Sequence, residues 1–452
     1  MPMDFSKLNV EPRAFHRGCQ SLNPSKHLLF TVENSIGRLR KVLYSVNCSE
    51  PPYVEYASVL QLGETALLCE QSSGCPTCES LLGAGYGLPA GDPALAEAAA
   101  RMNGHGTSRT AGHRAEEEWV GEERLVDSLY RLKPVLGLLC PGLYVLSYSL
   151  YCPTDGEGHF FWDMANDYRY YQATAQIYDS SNYRVLPDFP YYLCPTQPSE
   201  KFDEARMEYY RRWIREGAGV EPALAYHMEG SVSALLDGHH RASACALEGI
   251  CLPCLTISEP LCCRRPDAAL GHGKGQEYSV YIVWPDSSET LAASVLTPEQ
   301  VKQLQANPAG DWKEVNSMPE TGTPFQRQWP SKFGDAAKAF PNCREAGAIA
   351  LYPYSELTVE GILAFSMDEN SDETDTAADL FRFMCRRPGA DRKACSMDML
   401  QRNPPIGLKL AACEMLCEIK GDEEIEDLFV DILVECEDKR DPLRRIAERY
   451  WD

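Results

Sequence analysis

Asp237-Gly238-His239-His240-Arg241 gathers a carboxylate, two imidazoles and a guanidinium around a residue that lets the backbone turn tightly. The motif follows the apolar Leu235 and Leu236 and precedes Ala242-Ser243-Ala244, so the pattern predicts a strand, a tight turn and a helix. The N–H groups of a helix's first turn lack partners within the helix, and the macrodipole adds roughly half a positive charge there. Such a junction suits an anion, above all phosphate. Gly238 leaves room for a ligand, while Arg241 and protonated His239 or His240 would add donors. Asp237, at the strand end, is placed to bind Mg²⁺ or to orient an acceptor hydroxyl, which makes Asp237, His239 and His240 the candidate catalytic side chains. Adjacent helical residues point about 100° apart, so the two histidines are not expected to face one ligand together. An alternative reading has Asp237 capping the helix, Gly238 making the turn and Arg241 pairing with a carboxylate. A general base would have to come from Glu200, Asp203 or Glu221, for each of which a solvated or capping role is favoured.

The neighbouring elements are legible too. Ala205, Tyr209 and Trp213, with Met207, Tyr210 and Ile214, predict a helix from Asp203, its N-cap, to Glu216, stopped by Gly217. A strand Pro222 to Tyr226, a polar turn through Glu229-Gly230 and a strand Ser231 to Leu236 lead to the Gly238 turn. The helix after it runs to Leu247 and ends at Gly249, and Leu252 to Ile257 reads as a further strand.

This order resembles the ParB/sulfiredoxin superfamily over Leu186 to Ile257. Pro195, Gln197 and Pro198 match an asparagine-proline-x-glutamine-proline-arginine box, from which Cys194 and Ser199 depart. Gly238 and Arg241 match a glycine-glutamate-arginine-arginine turn, with His239 and His240 replacing its middle pair. Sulfiredoxins carry their catalytic cysteine at the position of His239, so sulfinic acid repair is not expected. The aspartate-glycine-histidine-histidine-arginine spelling is closest to the branch that includes free serine kinases. The resemblance implies a site for ATP, ADP or CTP with Mg²⁺, bound by Gln197, Gly238, His239, His240 and Arg241, with phosphotransfer to a small hydroxyl acceptor or nucleotide hydrolysis as the chemistry. No later glutamate-asparagine box completes a ParB-type nucleotide site, so clamp-type CTP switching is not expected.

Composition narrows the field. Acidic residues outnumber basic ones 66 to 43, for a formal charge of −23, which disfavours nucleic acid and a ParB-like nuclease activity. Arg206, Arg211, Arg212 and Arg215 share one helix, but a solvated polar face explains them better than a nucleic-acid surface. The 19 cysteines are odd in number and scattered, and Met1-Pro2-Met3-Asp4-Phe5 opens no signal pattern, so a cytoplasmic protein with reduced thiols is expected. The apolar run Val135 to Tyr151 is broken at Cys140-Pro141-Gly142 and reads as two strands around a turn rather than a membrane span. Cys69 with Cys75-Pro76-Thr77-Cys78 has a zinc or redox spelling, yet no second knuckle supplies a fourth ligand, and zinc is disfavoured. Cys251 and Cys254, on a predicted strand, should point to opposite faces.

The expected architecture is α/β (α+β) in three regions. Residues 1–183 form an N-terminal α/β region, with strands at Leu28 to Val32, Val42 to Val46, Leu143 to Leu150 and His159 to Trp162 and helices at Pro93 to Met102 and Glu116 to Leu132. Residues 184–350 hold the ParB/sulfiredoxin-like domain with an extension, including a strand at Tyr278 to Trp284. Residues 351–452 form an acidic helical domain. Its last three helices are marked by Leu410 and Cys413, by Leu428 and Ile432, and by Leu443 and Ile446, after the Asp441-Pro442 cap. A small bundle is favoured over HEAT-like pairs, and either could recruit a protein partner. Two function classes follow. One is a nucleotide-dependent phosphotransferase or hydrolase, the other a non-catalytic nucleotide-sensing or protein-interaction module.

Overall fold

The computed structural model describes residues 7–13, 26–47, 54–63, 65–72, 80–84, 121–153, 172–173, 192–196, 202–217, 219–229, 232–259, 261–263, 279–281, 312–315, 336, 339–340, 357–367, 374–386, 390–436 and 438–451. The chain divides into two compact units, Met1–Ala337 and Lys338–Asp452. The first unit opens with β1 (Asn9–Arg13), β2 (His27–Glu33), β3 (Leu39–Asn47), β4 (Val54–Leu62), β5 (Thr65–Ser72) and β6 (Ser80–Ala84). Then come α1 (Glu122–Arg131), α2 (Lys133–Leu136), β7 (Gly142–Tyr151), β8 (Gln172–Ala173) and β9 (Tyr192–Pro195). It continues through α3 (Glu204–Arg215), β10 (Ala223–Glu229), β11 (Val232–Asp237), α4 (His239–Leu247), β12 (Leu252–Ser258), β13 (Leu261–Cys263), β14 (Ser279–Tyr281) and β15 (Trp312–Val315).

A seven-stranded mixed sheet in the order β1-β2-β7-β12-β10-β11-β9 organises this unit. β10 runs parallel to β12 and β11 parallel to β9, and the other neighbours are antiparallel. The expected boundary near residue 183 therefore falls inside one sheet, because β1, β2 and β7 precede it and β9 to β12 follow it. A six-stranded sheet, β15-β3-β4-β5-β6-β8, carries the strand expected at Val42 to Val46. Val135 to Leu136 belong to α2 rather than to a strand, since Pro134 sits in the first turn, where its missing N–H and fixed φ favour helix. Only Gly142–Tyr151 of that apolar run is strand. The expected helix Pro93 to Met102 and strand His159 to Trp162 lie outside the described residues.

Strand alternation gives the large sheet two different faces. One is apolar. Phe30, Tyr144, Leu146, Leu255, Ile257, Leu224 and Tyr226 pack with Leu125 and Leu129 of α1 and with Leu60, Leu62 and Leu67 of β4 and β5. Each fully buried large side chain contributes about 1.5–3 kcal/mol, so this face is the main apolar core of the unit. The opposite face is equally buried and mixed, setting a polar cluster among Leu29, Val145, Leu235 and Leu252. Tyr151 of β7 shares a 2.9 Å hydrogen bond with Ser233 of β11, Thr256 of β12 donates to Tyr151 at 3.1 Å, and Ser233 shares a 3.2 Å bond with Nδ1 of His227 on β10. Three strand spacings in a flat sheet amount to roughly 14 Å, far beyond the reach of a tyrosine, so these bonds require a strongly curled sheet. The curl brings β9 back to the end of β7, where the Leu193 amide donates to the Cys152 carbonyl at 3.2 Å and Cys152 bridges Tyr192.

The second unit is helical: α5 (Val359–Ser366), α6 (Thr374–Arg386), α7 (Arg392–Gln401), α8 (Ile406–Cys417), α9 (Glu423–Glu435) and α10 (Pro442–Arg449). Phe381 of α6, Met399 of α7 and Met415 of α8 anchor one cluster, and Leu416 of α8, Phe429 of α9 and Ile446 of α10 another. Asp441 caps α10 as its position before Pro442 foretells, and Asp422 caps α9. Among the described residues no helix is long and apolar enough to cross a membrane.

Tyr151→Phe removes the hydroxyl that links three strands and leaves Ser233 and Thr256 short of a partner. It is expected to lower stability by about 1–3 kcal/mol in urea unfolding, and an unchanged midpoint would show that the polar cluster does not hold the curl.

Candidate functional site

The strand-turn-helix around Gly238 is present as its residues imply. Gly238 adopts φ +104°, a left-handed conformation, and is the N-cap of α4, to which it brings no side chain of its own. A Cβ at this position would lie 2.6 Å from the Cβ of Ala223. Glycine is required here by the close approach of β10 as well as by φ.

Arg241 enforces that approach. Its Nη2 donates to Oδ2 of Asp237 at 2.8 Å, and its Nη1 donates to the carbonyls of Glu221 at 3.0 Å and Pro222 at 2.8 Å. One guanidinium thus pins the entry to β10 against the exit of β11, with only 12% of its side chain exposed, whereas Asp237 is 41% exposed. The alternative reading of Arg241, a partner for a carboxylate, is the geometry observed. Asp237 remains the motif side chain most open to a ligand.

The two histidines diverge, each to a backbone amide. His239, 2% exposed, accepts from the Thr196 N–H through Nε2 at 3.2 Å. Burial lowers its pKa from 6.5 to about 3, with the Asp237 carboxylate opposing that shift, so the ring is neutral near pH 7. His240 accepts from the Asp203 N–H through Nε2 at 2.9 Å and stacks on Phe202 with ring centroids 6.0 Å apart. Thr196 and Asp203 bracket the segment that holds Gln197 and Glu200, which lies outside the described residues. Both imidazoles therefore hold the two ends of that segment against the start of α4. Thr196, fully buried, adds a 2.6 Å bond from Oγ1 to the Leu235 carbonyl.

Helix α3 completes the frame. Asp203 accepts from the Arg206 N–H at 3.1 Å, the capping role its position predicts, and Gly217 follows with φ +72°. Glu248, just after α4, receives Arg211 at 2.7 Å and Arg215 at 2.9 Å, so two of the four arginines on α3 hold one helix to the other. These ion pairs pull the Glu248 carboxyl below its usual range against the effect of burial.

Sequence reading missed a second cluster, and only the three-dimensional pairing reveals it. Tyr226 donates to Oε2 of Glu259 at 2.6 Å, and burial raises the Glu259 carboxyl while Tyr226 and Lys41 pull it down. Tyr226 alternates with Ala225 and faces the apolar core, opposite to the face where Ala223 meets Gly238. Glu259 is therefore no base for the Gly238 turn. Among the described residues no group of three or more His, Cys, Asp or Glu side chains is arranged to hold a metal ion. Cys69 lies in β5, while Cys75 and Cys78 lie outside the described residues. Compared with known proteins, the chain matches no family model, no curated protein and no solved structure.

Gly238→Ala combines a strained φ with a backbone-proximal clash and is expected to cost about 2 kcal/mol or more in thermal or urea unfolding. A loss of a few tenths would mean that β10 yields freely. A pH effect follows from the buried imidazoles. His227, like His239, has its pKa lowered by burial from 6.5 to about 3. Between those values the unfolded chain binds more protons than the folded one, so stability is full above about pH 6.5 and drains away towards pH 3. Each histidine contributes a slope of up to about 1.4 kcal/mol per pH unit. Urea midpoints measured across this window should fall less steeply in His239→Gln than in the unmodified chain, and parallel curves would remove His239 from the account.

Proposed function

We propose that the chain binds a nucleotide, holding a phosphate group on the amides of the first turn of α4, in a domain of the ParB/sulfiredoxin type over Leu186 to Ile257. One observation carries the reading. The helix opens on a left-handed Gly238, which brings no side chain of its own to the first turn, while His239, His240 and Arg241 all turn to backbone groups around it and fix its shape. Donors for the anion are then the amides and the helix dipole, and the motif's side chains are the scaffold. The order of helix, strands and turn around Gly238 supports the family assignment.

Binding is favoured over transfer. His239 is neutral and engaged at Nε2, His240 and Arg241 are engaged as well, and Asp203 caps α3, whereas the Asp237 side chain is 41% exposed and within reach of a ligand. Mg²⁺ binds through one or two carboxylates together with phosphate oxygens and water, a role that the half-exposed Asp237 fits. Phosphotransfer to a small hydroxyl acceptor is the second reading, with Asp237 orienting that hydroxyl. The helical unit supports a protein partner through Val430 and Val434, one turn apart on α9 and exposed. Free thiols throughout the described cysteines support a cytoplasmic setting.

Hydrogen exchange and thermal unfolding with ADP, ATP or CTP, with and without Mg²⁺, test this. The expected result is slowed exchange at the amides of residues 239–241 and a rise in unfolding temperature, with Asp237→Asn removing the Mg²⁺ dependence. Unchanged exchange at those three amides under saturating nucleotide would overturn the site, and nucleotide turnover with free serine would move the protein into the enzyme class.

A further inference from the structure

We propose that Cys152 and Cys251 form a redox pair, a modification site that closes to a disulfide when a peroxide reaches Cys251. The β7–β12 ladder runs antiparallel from Ser258 opposite Val145 to Leu252 opposite Tyr151. One step further sets Cys251 opposite Cys152. Directly opposed residues in antiparallel strands have Cα separations of about 4.5 or 5.5 Å, both within the roughly 4.4–6.8 Å that a disulfide spans. Both cysteines are free thiols, Cys251 exposed and Cys152 buried.

Their environments divide the labour. The nearness of the two sulfurs draws the Cys251 thiol below its usual pKa against the effect of burial, and together with burial pushes Cys152 up. Cys251 is thus the accessible thiol and Cys152 the protected one behind it, the arrangement of an attacking and a resolving cysteine. Their neighbours are excluded as first reactants. Cys245 of α4 and Cys254 of β12 are buried, and burial raises both thiols.

The chemistry balances without a cofactor. The Cys251 thiolate attacks one peroxide oxygen, the O–O bond breaks, and the departing hydroxide takes a proton to become water, leaving Cys251 as a sulfenic acid. The Cys152 sulfur then attacks the Cys251 sulfur. The S–O bond breaks as the S–S bond forms, and the Cys152 proton leaves with the hydroxyl as a second water. Two thiols have given up two electrons and one peroxide has been reduced to two waters. The new bond would tie the end of β7, whose Cys152 carbonyl accepts from Leu193 of β9, to the connection between α4 and β12.

The test treats the reduced full-length chain with graded hydrogen peroxide, quenches in acid, alkylates remaining thiols in urea and maps peptides without reduction. A Cys152–Cys251 linked peptide is expected to appear at lower peroxide than any other cross-link. In Cys251→Ser that peptide is lost and Cys152 stays alkylatable, whereas in Cys152→Ser a dimedone adduct accumulates on Cys251. If Cys251 stays alkylatable while other cysteines oxidise, or if it links to a different cysteine, the proposal is wrong. The unmodified chain alone decides this should Cys152→Ser fail to fold.

Discussion

The contact between Gly238 and Ala223 is the constraint around which the first unit is arranged. A missing side chain lets the β11–α4 turn press against the first residue of β10, and Arg241 locks the approach by gripping Asp237 and the two carbonyls that lead into that strand. Because β10 lies between β11 and β12, fixing this one contact fixes the crossover helix α4 over the sheet. The same guanidinium commits three of its five donors to the fold. A charged residue at a turn that appears built for ligands is here the fastening of the turn itself.

Burial of polar groups is tolerated where hydrogen bonds replace water, and several buried polar side chains of this unit are placed so. His239 and His240 serve as acceptors for backbone amides, a role open to an imidazole only while the accepting nitrogen is unprotonated. Tyr151, Ser233, Thr256 and Nδ1 of His227 hydrogen-bond one another across four strands, while Nε2 of His227 is buried with no hydrogen-bond partner among the described residues. The large sheet is therefore held by apolar packing on both faces, to which one face adds a hydrogen-bonded network that is directional where the packing is not.

Local structure at the motif was legible because it is local. Asp203 as a cap, Gly217 as a stop, Gly238 as a turn and the divergence of His239 from His240 follow from neighbours within one helical turn. Helices α8, α9 and α10 were legible for the same reason, through apolar spacing and the Asp441-Pro442 cap. What escaped was non-local. That β2 and β7 pair beside β12, that Thr196 meets His239, and that Tyr226 meets Glu259 depend on chain closures that leave no short-range trace. α2 was misread because Val135, Leu136 and Leu138 are as apolar as a buried strand, and only Pro134 hints at the helical turn.

The order of strands in the large sheet carries a consequence for biosynthesis. β7 pairs on one side with β2, made earlier, and on the other with β12, which begins about a hundred residues after β7 ends. At typical translation speeds this leaves one edge of β7 uncovered for roughly 5–20 seconds on the ribosome. The exposed edge belongs to an apolar strand, Leu143 to Leu146 among its residues, of the kind that templates pairing with other chains. Emergence of the first half of the chain is thus an interval in which the nascent protein needs shielding, and arrival of β12 ends it.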